Sequence, residues 1–236
     1  MKKNKRAIIL SGGKGSRLRP YTVVLPKPLM PIGDYPILEL VIRQLVKNEF
    51  SHITLCVNHQ ADLIKTFFSN GEKWGIKIDY SNEIEPLGTM GPLKNINDLP
   101  ENFLVMNGDI LTNLNFKHFF ETHQKNNEIF TISSHKRIEK IDYGVLSCSK
   151  EDNLIGFTEK PNKTFEVSMG IYMLNKSVLN YIPNKFYGFD QLMLKLIESK
   201  ERVKVKSFDG YWLDIGRPDD YMKAIDDFES MKSIFL

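Results

Sequence analysis

Short, continuous runs of apolar residues alternate with helical patterns through the first half of the chain. Three such runs are RAIIL at 6–10, HITLCVN at 52–58 and NFLVMNGD at 102–109. Because these runs are short and rich in β-branched or aromatic residues, they predict strands that are buried on both faces, as in a mostly parallel sheet.

Helical patterns lie between these strands. Apolar residues form one stripe along 36–48, where Pro36 stands near the first turn. A second helix is predicted over 61–69, and a third begins near Asn115, a residue type that caps helix N-termini well. Strands that alternate with helices predict an α/β fold with helices on both faces of the sheet.

The second half of the chain is richer in strand patterns. They predict strands at 129–135, 144–148, 154–159, 167–174, 203–208 and 211–215, and helices at 176–181, 190–199 and 218–232. The sequence contains no repeat, linker or low-complexity tract, so we expect a single domain over residues 1–236.

Composition and charge narrow the class of protein. Of the 236 residues, 42% are hydrophobic and 26% are charged, as is usual for a globular protein, and the net charge of +3 gives no reason to expect a nucleic-acid partner.

The apolar run at 7–10 is too short for a secretory leader, and no apolar segment is long enough to span a membrane. Cys56 and Cys148 each stand in an apolar, strand-like run, so we expect two buried thiols in a cytoplasmic protein.

The segment LSGGKGSRLRP at 10–20 follows the first predicted strand and has the features of a phosphate-binding loop. Its glycines expose backbone N–H groups, and Arg17 can donate two hydrogen bonds to a phosphate. The mononucleotide P-loop pattern fails because Ile8 stands five residues before Gly13. The dinucleotide-binding pattern fails because Leu18 replaces the third glycine. A plain glycine-rich turn is the alternative.

Lys27 lies in the segment LPKPLMPIGDYPIL at 25–38, directly between two of its four prolines. Because proline restricts the backbone, this lysine is held as a positioned positive charge, which suits a phosphate group. The alternative is an ordinary exposed lysine on a loop.

The motifs along the chain resemble those of the sugar-1-phosphate nucleotidyltransferases. The resemblance starts at LSGGKGSRLRPYT and LPKPLMPI and continues, in the family's order, through EPLGTMGPL (85–93), VMNGDIL (105–111), YGVL (143–146), FTEKP (157–161), MGIYML (169–174) and WLDIGRPDDY (212–221). PLGTMGPL is most similar to the GDP-mannose pyrophosphorylase branch, whose members are mannose-1-phosphate guanylyltransferases. The resemblance implies a Rossmann-like, three-layer α/β/α nucleotidyltransferase fold with a mixed, mostly parallel central sheet.

The resemblance also implies a reaction. A nucleoside monophosphate passes from an NTP to a sugar 1-phosphate by in-line attack on the α-phosphorus, with Mg²⁺ as the cofactor. This chemistry requires positioning and charge neutralisation rather than a nucleophilic side chain. The first half of the chain, about 1–112, would bind the nucleotide, and the second half, about 113–236, would bind the sugar phosphate.

Individual roles follow from the same resemblance. Arg17 would hold the triphosphate and the departing pyrophosphate, and Lys27 would stabilise the transition state at the α-phosphate, which makes both residues catalytic. The residues implied to bind the nucleotide are Leu10, Gly12, Gly13, Gly15, Glu83, Gly88 and Asp109. Those implied to bind the sugar 1-phosphate are Gly144, Glu159, Lys160 and Ser168.

Asp109 and Asp214 are the implied Mg²⁺ ligands, and a physical argument points the same way. Each ends an apolar, strand-like run, and ligands of open α/β sheets bind at the carboxyl ends of strands. Two carboxylates, completed by phosphates and water, suit Mg²⁺. The alternative is that each aspartate caps a turn or pairs with a cation, as Asp214 could with Arg217.

The base and the sugar stay open at this point. Glu83 or Glu85, in the loop 82–91, could accept hydrogen bonds from guanine, and the branch resemblance favours GTP. Uridylyl, thymidylyl or cytidylyl transfer is the alternative. Many relatives have an asparagine where Ser168 stands, so mannose, heptose, glucose and amino-sugar 1-phosphates are all candidates.

Two hypotheses from other classes compete. The first is a glycosyltransferase that uses NDP-sugars, which has a similar fold and a metal-binding acidic triplet that NGD at 107–109 resembles. A glycosyltransferase releases no pyrophosphate, so it would have no need of Arg17 and Lys27. A non-catalytic sensor of nucleotide sugars usually lacks a metal ligand or a loop cation that this chain keeps. No hexapeptide repeat follows 218–232, so we expect no β-helix domain, and a homodimer is compatible with the sequence.

Overall fold

A computed structural model describes residues 5–236, which form five α-helices and thirteen strands. The helices are α1 (Ile37–Lys47), α2 (Ala61–Phe68), α3 (Phe116–Lys125), α4 (Phe189–Glu198) and α5 (Pro218–Phe235). The first seven strands are β1 (Lys5–Leu10), β2 (Pro31–Ile32), β3 (Tyr35–Pro36), β4 (Phe50–Val57), β5 (Lys77–Asn82), β6 (Asn102–Asn107) and β7 (Ile110–Thr112). The remaining strands are β8 (Phe130–Lys140), β9 (Val145–Cys148), β10 (Leu154–Thr158), β11 (Asn162–Asn175), β12 (Val203–Ser207) and β13 (Trp212–Asp214).

Seven of the strands form one central sheet in the order β12-β8-β11-β6-β1-β4-β5. Strands β5, β4, β1 and β6 pair in parallel, and β12 pairs in parallel with β8. Strand β11 is antiparallel to both of its neighbours, β6 and β8. The sheet is therefore mixed and mostly parallel, which confirms the predicted fold class.

Both faces of this sheet are covered. Ala7 and Ile9 of β1 pack into a core with α1, α2 and α3, while Ile8, which points to the other face, packs with α4. The apolar run 7–9 of β1 is buried on both faces of the sheet, because successive residues of a strand point to opposite faces. The arrangement confirms the three predicted layers. Among residues 5–236, no helix combines the length and apolarity needed to cross a membrane.

The ends of the helices follow from their local sequence. Pro36 precedes α1 in an extended conformation, and the Asn115 side chain accepts a hydrogen bond of 2.8 Å from the backbone N–H of His118 at the start of α3. At the start of α5, the Asp220 carboxylate accepts the backbone N–H of Arg217 at 2.8 Å. All three helix starts confirm the predicted ones.

The structure differs from the predicted elements in several places. The short strands β2, β3 and β7 were not predicted. The segment Lys176–Tyr181 is a 3₁₀ helix rather than an α-helix. The edge strand β5 was not predicted, because it is short and lacks a continuous apolar run. The predicted strands 129–135 and 167–174 are only parts of β8 and β11, whose paired outer halves are mostly polar and exposed.

The hairpin of β9 and β10 lies outside the central sheet as a separate two-stranded sheet. Its apolar side chains are exposed, including Leu146 at 62% and Phe157 at 60%. Cys148 is exposed as well, so the prediction of a buried thiol is wrong at this position, because no second layer covers the hairpin. At Cys56 the prediction is confirmed, and burial raises the pKa of its thiol.

Candidate active site

A cleft of about 410 Å³ opens at the carboxyl ends of β1, β4 and β6. These strands are parallel neighbours, with Leu10 in register with both Cys56 and Asn107, so the segments that follow them meet at one edge of the sheet. The lining comprises Leu10, Ser11, Gly12, Gly13, Gly15, Ser16, Arg17, Leu18, Lys27, Pro28, Asn58, Glu83, Pro86, Gly88, Thr89, Asn107, Gly108, Asp109, Phe186 and Gly216.

The glycine loop after β1 leaves its backbone accessible from the cleft. A side chain at Gly13 would meet no atom within 4 Å, so this stretch of backbone faces open space. Gly15 has a φ of +61°, and a Cβ there would lie 2.9 Å from the Thr22 side chain. The Thr22 hydroxyl donates to the carbonyl of Gly15 at 2.8 Å, which fixes the loop. The loop therefore has a defined shape with free N–H groups, as binding of an anion requires.

Lys27 extends into the cleft from a 3₁₀ turn, Lys27–Leu29, that follows the extended Pro26 and contains the buried Pro28. Its ammonium group contacts the Oδ2 atom of Asp109, and only 12% of its side chain is exposed. The proline-flanked lysine is thus a charge in a fixed place rather than a solvated surface lysine.

Asp109 follows β6 and is held from two sides. Its backbone carbonyl accepts the N–H of Ile215 at 3.1 Å, and the pairing of β13 with β7 sets Asp214 opposite Ile110. The Oδ1 atom of Asp109 is buried and has no hydrogen-bond partner among the described residues. A buried carboxylate oxygen without a partner is costly, which makes it a candidate ligand atom for a cation.

Asp214 lies close enough to Asp109 for the two charges to interact. Burial of Asp214 raises the pKa of its carboxyl, and the negative charge of Asp109 raises this pKa further. Lys27 and Arg17 oppose both effects. Among the described residues, no group of three or more histidine, cysteine, aspartate or glutamate side chains could hold a metal ion.

Arg17 lies in a 3₁₀ turn, Ser16–Leu18, and its guanidinium group lies over Gly216. A Cβ at Gly216 would be 3.5 Å from one terminal nitrogen of Arg17 and 3.6 Å from the other. Gly216 follows Asp214 by two residues, so the arginine reaches the acidic side of the cleft from the glycine loop.

Glu83 connects the glycine loop to the loop 83–91. One of its oxygens accepts the N–H of Leu87 at 3.0 Å, and the other lies 3.2 Å from the position of a Cβ at Gly12. Burial raises the pKa of the Glu83 carboxyl. The structure thus places Glu83 in the cleft, whereas Glu85 lines a neighbouring cavity.

A second segment, 185–188, holds the loop 83–91 in place. The carbonyl of Tyr187 accepts the N–H groups of Met90 and Gly91 at 3.0 and 3.1 Å, and its own N–H donates to Leu87 at 2.9 Å. Gly88 has a φ of +80°, and a Cβ there would be 2.6 Å from the carbonyl oxygen of Tyr187. Glycine is therefore required at position 88 by both its conformation and its neighbour.

Three of the predicted sugar-phosphate residues form a separate, exposed group at the hairpin. A Cβ at Gly144 would lie 3.1 Å from the Glu159 carboxylate and 2.6 Å from the Phe157 ring. Lys160 follows with a φ of +43° at the turn into β11. None of these residues lines the 410 Å³ cleft.

Ser168 lies at a break in the pairing of β8 with β11, outside the cleft lining. Its hydroxyl donates to the Tyr172 hydroxyl at 3.1 Å and accepts the N–H of Gly170 at 3.2 Å. Burial raises the pKa of Tyr172, and the negative charge of Asp214 adds to this effect, which links the break to the acidic side of the cleft.

Sequence reasoning missed several residues that line the cleft, among them Asn58, Thr89 and Phe186. Asn58 ends the predicted strand 52–58, and its amide donates to the Glu83 carbonyl at 2.8 Å. The strand-end argument used for Asp109 would have found it. Nothing in the local sequence around Phe186 indicates its place in the cleft.

Comparison with known proteins gives a consistent result. The family described as nucleotidyl transferase matches residues 6–231. A mannose-1-phosphate guanyltransferase of Yarrowia lipolytica is 34% identical over 227 residues, which cover 93% of this chain and 62% of the relative. This chain therefore spans less than two thirds of that relative's length.

Solved structures also resemble the chain closely. The crystal structure of HddC from Yersinia pseudotuberculosis aligns with a TM-score of 0.74 and 29% identity, covering 95% of this chain and 99% of that one. The structure of HddC complexed with GMP-PN aligns with a TM-score of 0.72 and 28% identity, with the same coverage of 95% and 99%.

Proposed function

Because this chain belongs to the nucleotidyl transferase family, we propose that it transfers a nucleoside monophosphate from an NTP to a sugar 1-phosphate and releases pyrophosphate. The observation that carries the proposal is the contact of Lys27 with Asp109, beside Asp214 and the glycine loop. GTP is the favoured nucleotide, with mannose or heptose 1-phosphate as the acceptor. The name of the Yarrowia relative, a mannose-1-phosphate guanyltransferase, supports this choice.

In the proposed reaction, an oxygen of the sugar 1-phosphate forms a bond to the α-phosphorus of the NTP. The bond between that phosphorus and the bridging oxygen of the leaving pyrophosphate breaks, and its electron pair stays on the pyrophosphate. Lys27 neutralises charge at the α-phosphate, and Arg17 donates hydrogen bonds to the leaving group. Fixed cations of this kind stabilise the transition state without reorganising during the reaction.

Asp109 and Asp214 fit the role of Mg²⁺ ligands in this proposal. The buried, unpartnered Oδ1 atom of Asp109 and the mutual repulsion of the two carboxylates are both relieved by a cation. Two carboxylates are the usual protein contribution where substrate phosphates and water complete the shell. The bound ion would supply further neutralisation of phosphate charge.

Glu83 is the proposed acceptor for guanine. The base presents N–H donors on its Watson–Crick edge, and the carboxylate oxygen near Gly12 is not the one that accepts Leu87. Leu10, Gly12 and Gly88 line the cleft around it. The alternative is uridylyl, thymidylyl or cytidylyl transfer, in which Arg17 and Lys27 would act on the phosphates in the same way.

The exposed group at the hairpin is the proposed contact for the sugar 1-phosphate. Glu159 would accept hydrogen bonds from sugar hydroxyls, with Gly144 leaving room beside it, and Lys160 would contact the phosphate. The Ser168 hydroxyl already makes hydrogen bonds to Tyr172 and Gly170, so it has less remaining capacity to make hydrogen bonds to a sugar.

A grid of four NTPs against mannose, heptose, glucose and amino-sugar 1-phosphates tests the proposal. Each pair is mixed with the protein and Mg²⁺, and pyrophosphate release is measured. Release that needs both substrates supports the proposal and names the base and the sugar. Absence of release from every pair would contradict it. Hydrolysis of an NDP-sugar, or sugar transfer from it, without an NTP would favour a glycosyltransferase. Binding of a nucleotide sugar without any turnover would favour a sensor.

A further inference from the structure

Phe186 is an aromatic residue that lines the cleft without being packed into the protein. Its side chain is 58% exposed, and it belongs to the lining together with Glu83, Pro86 and Gly88. Eleven pairs of aromatic rings contact each other among residues 5–236, and none of these pairs includes Phe186. An exposed phenylalanine in a cleft is a candidate contact for a flat apolar ligand.

Hydrogen bonds hold the backbone that directly follows Phe186. The next residue, Tyr187, makes three backbone hydrogen bonds to the loop 83–91, between 2.9 and 3.1 Å long. Two residues on, the N–H of Phe189 donates to the Thr89 hydroxyl at 2.7 Å. The backbone that carries the ring is therefore held against the loop 83–91, while the ring itself stays exposed to a ligand, so only the side chain has to be ordered on binding.

The residues around Phe186 divide between two cavities. Asn184 and Lys185 line the neighbouring cavity of about 430 Å³, together with Asn82, Ile84 and Glu85. Phe186 lies on the opposite side, in the cleft. In the segment 184–186, the two polar residues thus line the neighbouring cavity, and Phe186 lines the cleft, as Glu83 does.

We propose that Phe186 stacks on the nucleobase and favours purines over pyrimidines. This inference rests on the proposed function only in that the ligand is a nucleotide. Glu83 would bind the edge of the base, and the phenyl ring would cover its face. A purine has two fused rings and so overlaps the phenyl ring over a larger area than a pyrimidine does, which gives stacking a preference that hydrogen bonds at the edge do not supply.

Four substitutions at this position test the proposal by pyrophosphate release and by equilibrium binding of GDP. Phe186→Ala is expected to raise the KM for GTP and the Kd for GDP about tenfold, or about 1.4 kcal/mol, with kcat within about twofold of wild type. Phe186→Tyr and Phe186→Trp are expected to stay within about threefold of wild type. Phe186→Leu keeps apolar bulk without a flat ring and is expected to resemble alanine.

Ile84→Ala is the matched control, because Ile84 is 98% exposed on the loop 83–91 but lines only the neighbouring cavity. It should leave KM and Kd unchanged. The stacking proposal is overturned if Phe186→Ala stays within twofold of wild type, or if Phe186→Leu restores binding as fully as Phe186→Tyr. A wild-type protein that binds GDP through Phe186 but releases no pyrophosphate would contradict the proposed function and leave stacking intact.

Discussion

The two regions proposed to bind substrate are built in opposite ways. The cleft lies on the buried central sheet, where Lys27 contacts Asp109 with only 12% of its side chain exposed. The hairpin of β9 and β10, which carries Gly144 and Glu159 at its ends, is a two-stranded sheet with exposed apolar side chains on it. Charges in the cleft act in a low-dielectric setting, whereas those at the hairpin are screened by water until a ligand covers them. We therefore expect substitutions of the charged residues in the cleft to affect the chemical step, and substitutions at the hairpin to affect only sugar binding.

The largest expected effect tests the cleft directly. Asp109→Asn should reduce turnover about a thousandfold or more, because it removes a carboxylate proposed to hold Mg²⁺ and to face Lys27. Steady-state pyrophosphate release against Mg²⁺ concentration measures it. The matched control is Asp98→Asn, since Asp98 also pairs with a cation, Arg6, at 2.8 Å but does not line the cleft. Full activity in Asp109→Asn would rule out its metal role.

Lys27→Ala separates chemistry from binding within the cleft. We expect kcat to fall about a hundredfold while the Kd for the NTP rises less than about fivefold, because the ammonium group would act mainly on the transition state. Single-turnover rates and equilibrium binding measure the two quantities. Lys14→Ala is the control, since Lys14 is an exposed lysine of the glycine loop outside the lining. A loss confined to NTP binding would contradict the proposed role.

Glu159→Gln moves the test to the hairpin. It should raise the KM for the sugar 1-phosphate about tenfold and leave the KM for the NTP within about twofold, because a charged acceptor for sugar hydroxyls is lost. Initial rates with each substrate varied in turn measure both constants. Glu151→Gln, in the turn between β9 and β10, is the matched control and should change neither constant. An equal rise in both KM values would place Glu159 in a different role.

The smallest expected effect concerns stability. Leu146→Ser should change the free energy of unfolding by less than about 0.5 kcal/mol, because Leu146 is 62% exposed. The contrasting variant is Leu104→Ala in β6, fully buried, which should cost about 3 kcal/mol. Chemical denaturation at two protein concentrations measures both. A loss above about 1.5 kcal/mol for Leu146→Ser would show that the hairpin is covered in solution, as in a homodimer.

The sequence predicted the cleft better than the hairpin, for a physical reason. Strands buried on both faces leave a continuous apolar run, and the residue after such a run lies at the carboxyl edge of the sheet, which supports the role that the resemblance implies for Asp109. The hairpin also contains apolar residues, yet no layer covers it, and Cys148 was wrongly expected to be buried for that reason. Whether an apolar run is covered depends on the rest of the fold and is not encoded locally.

Phe186 shows a second kind of limit. Its place in the cleft depends on hydrogen bonds between Tyr187 and the loop 83–91, about a hundred residues earlier in the chain. Periodicity and capping rules describe neighbours along the chain, so they carry no information about such a contact. Asn58 differs, because it ends a strand that was predicted and could have been identified by the same rule as Asp109.

The short pairing of β13 with β7 has a consequence for the nascent chain. It sets Asp214 opposite Ile110 and so brings the second carboxylate near Asp109, a residue of the cleft lining. The charged residues of the lining all come much earlier in the sequence than Asp214. A chain synthesised as far as residue 130 already carries the glycine loop, Lys27 and Asp109, but it lacks Asp214 until some eighty further residues have left the ribosome. The pair of Asp109 and Asp214 is thus complete only after the three residues of β13 have paired with β7. A polypeptide released before that point would carry most of the cleft residues but would lack the charge of Asp214.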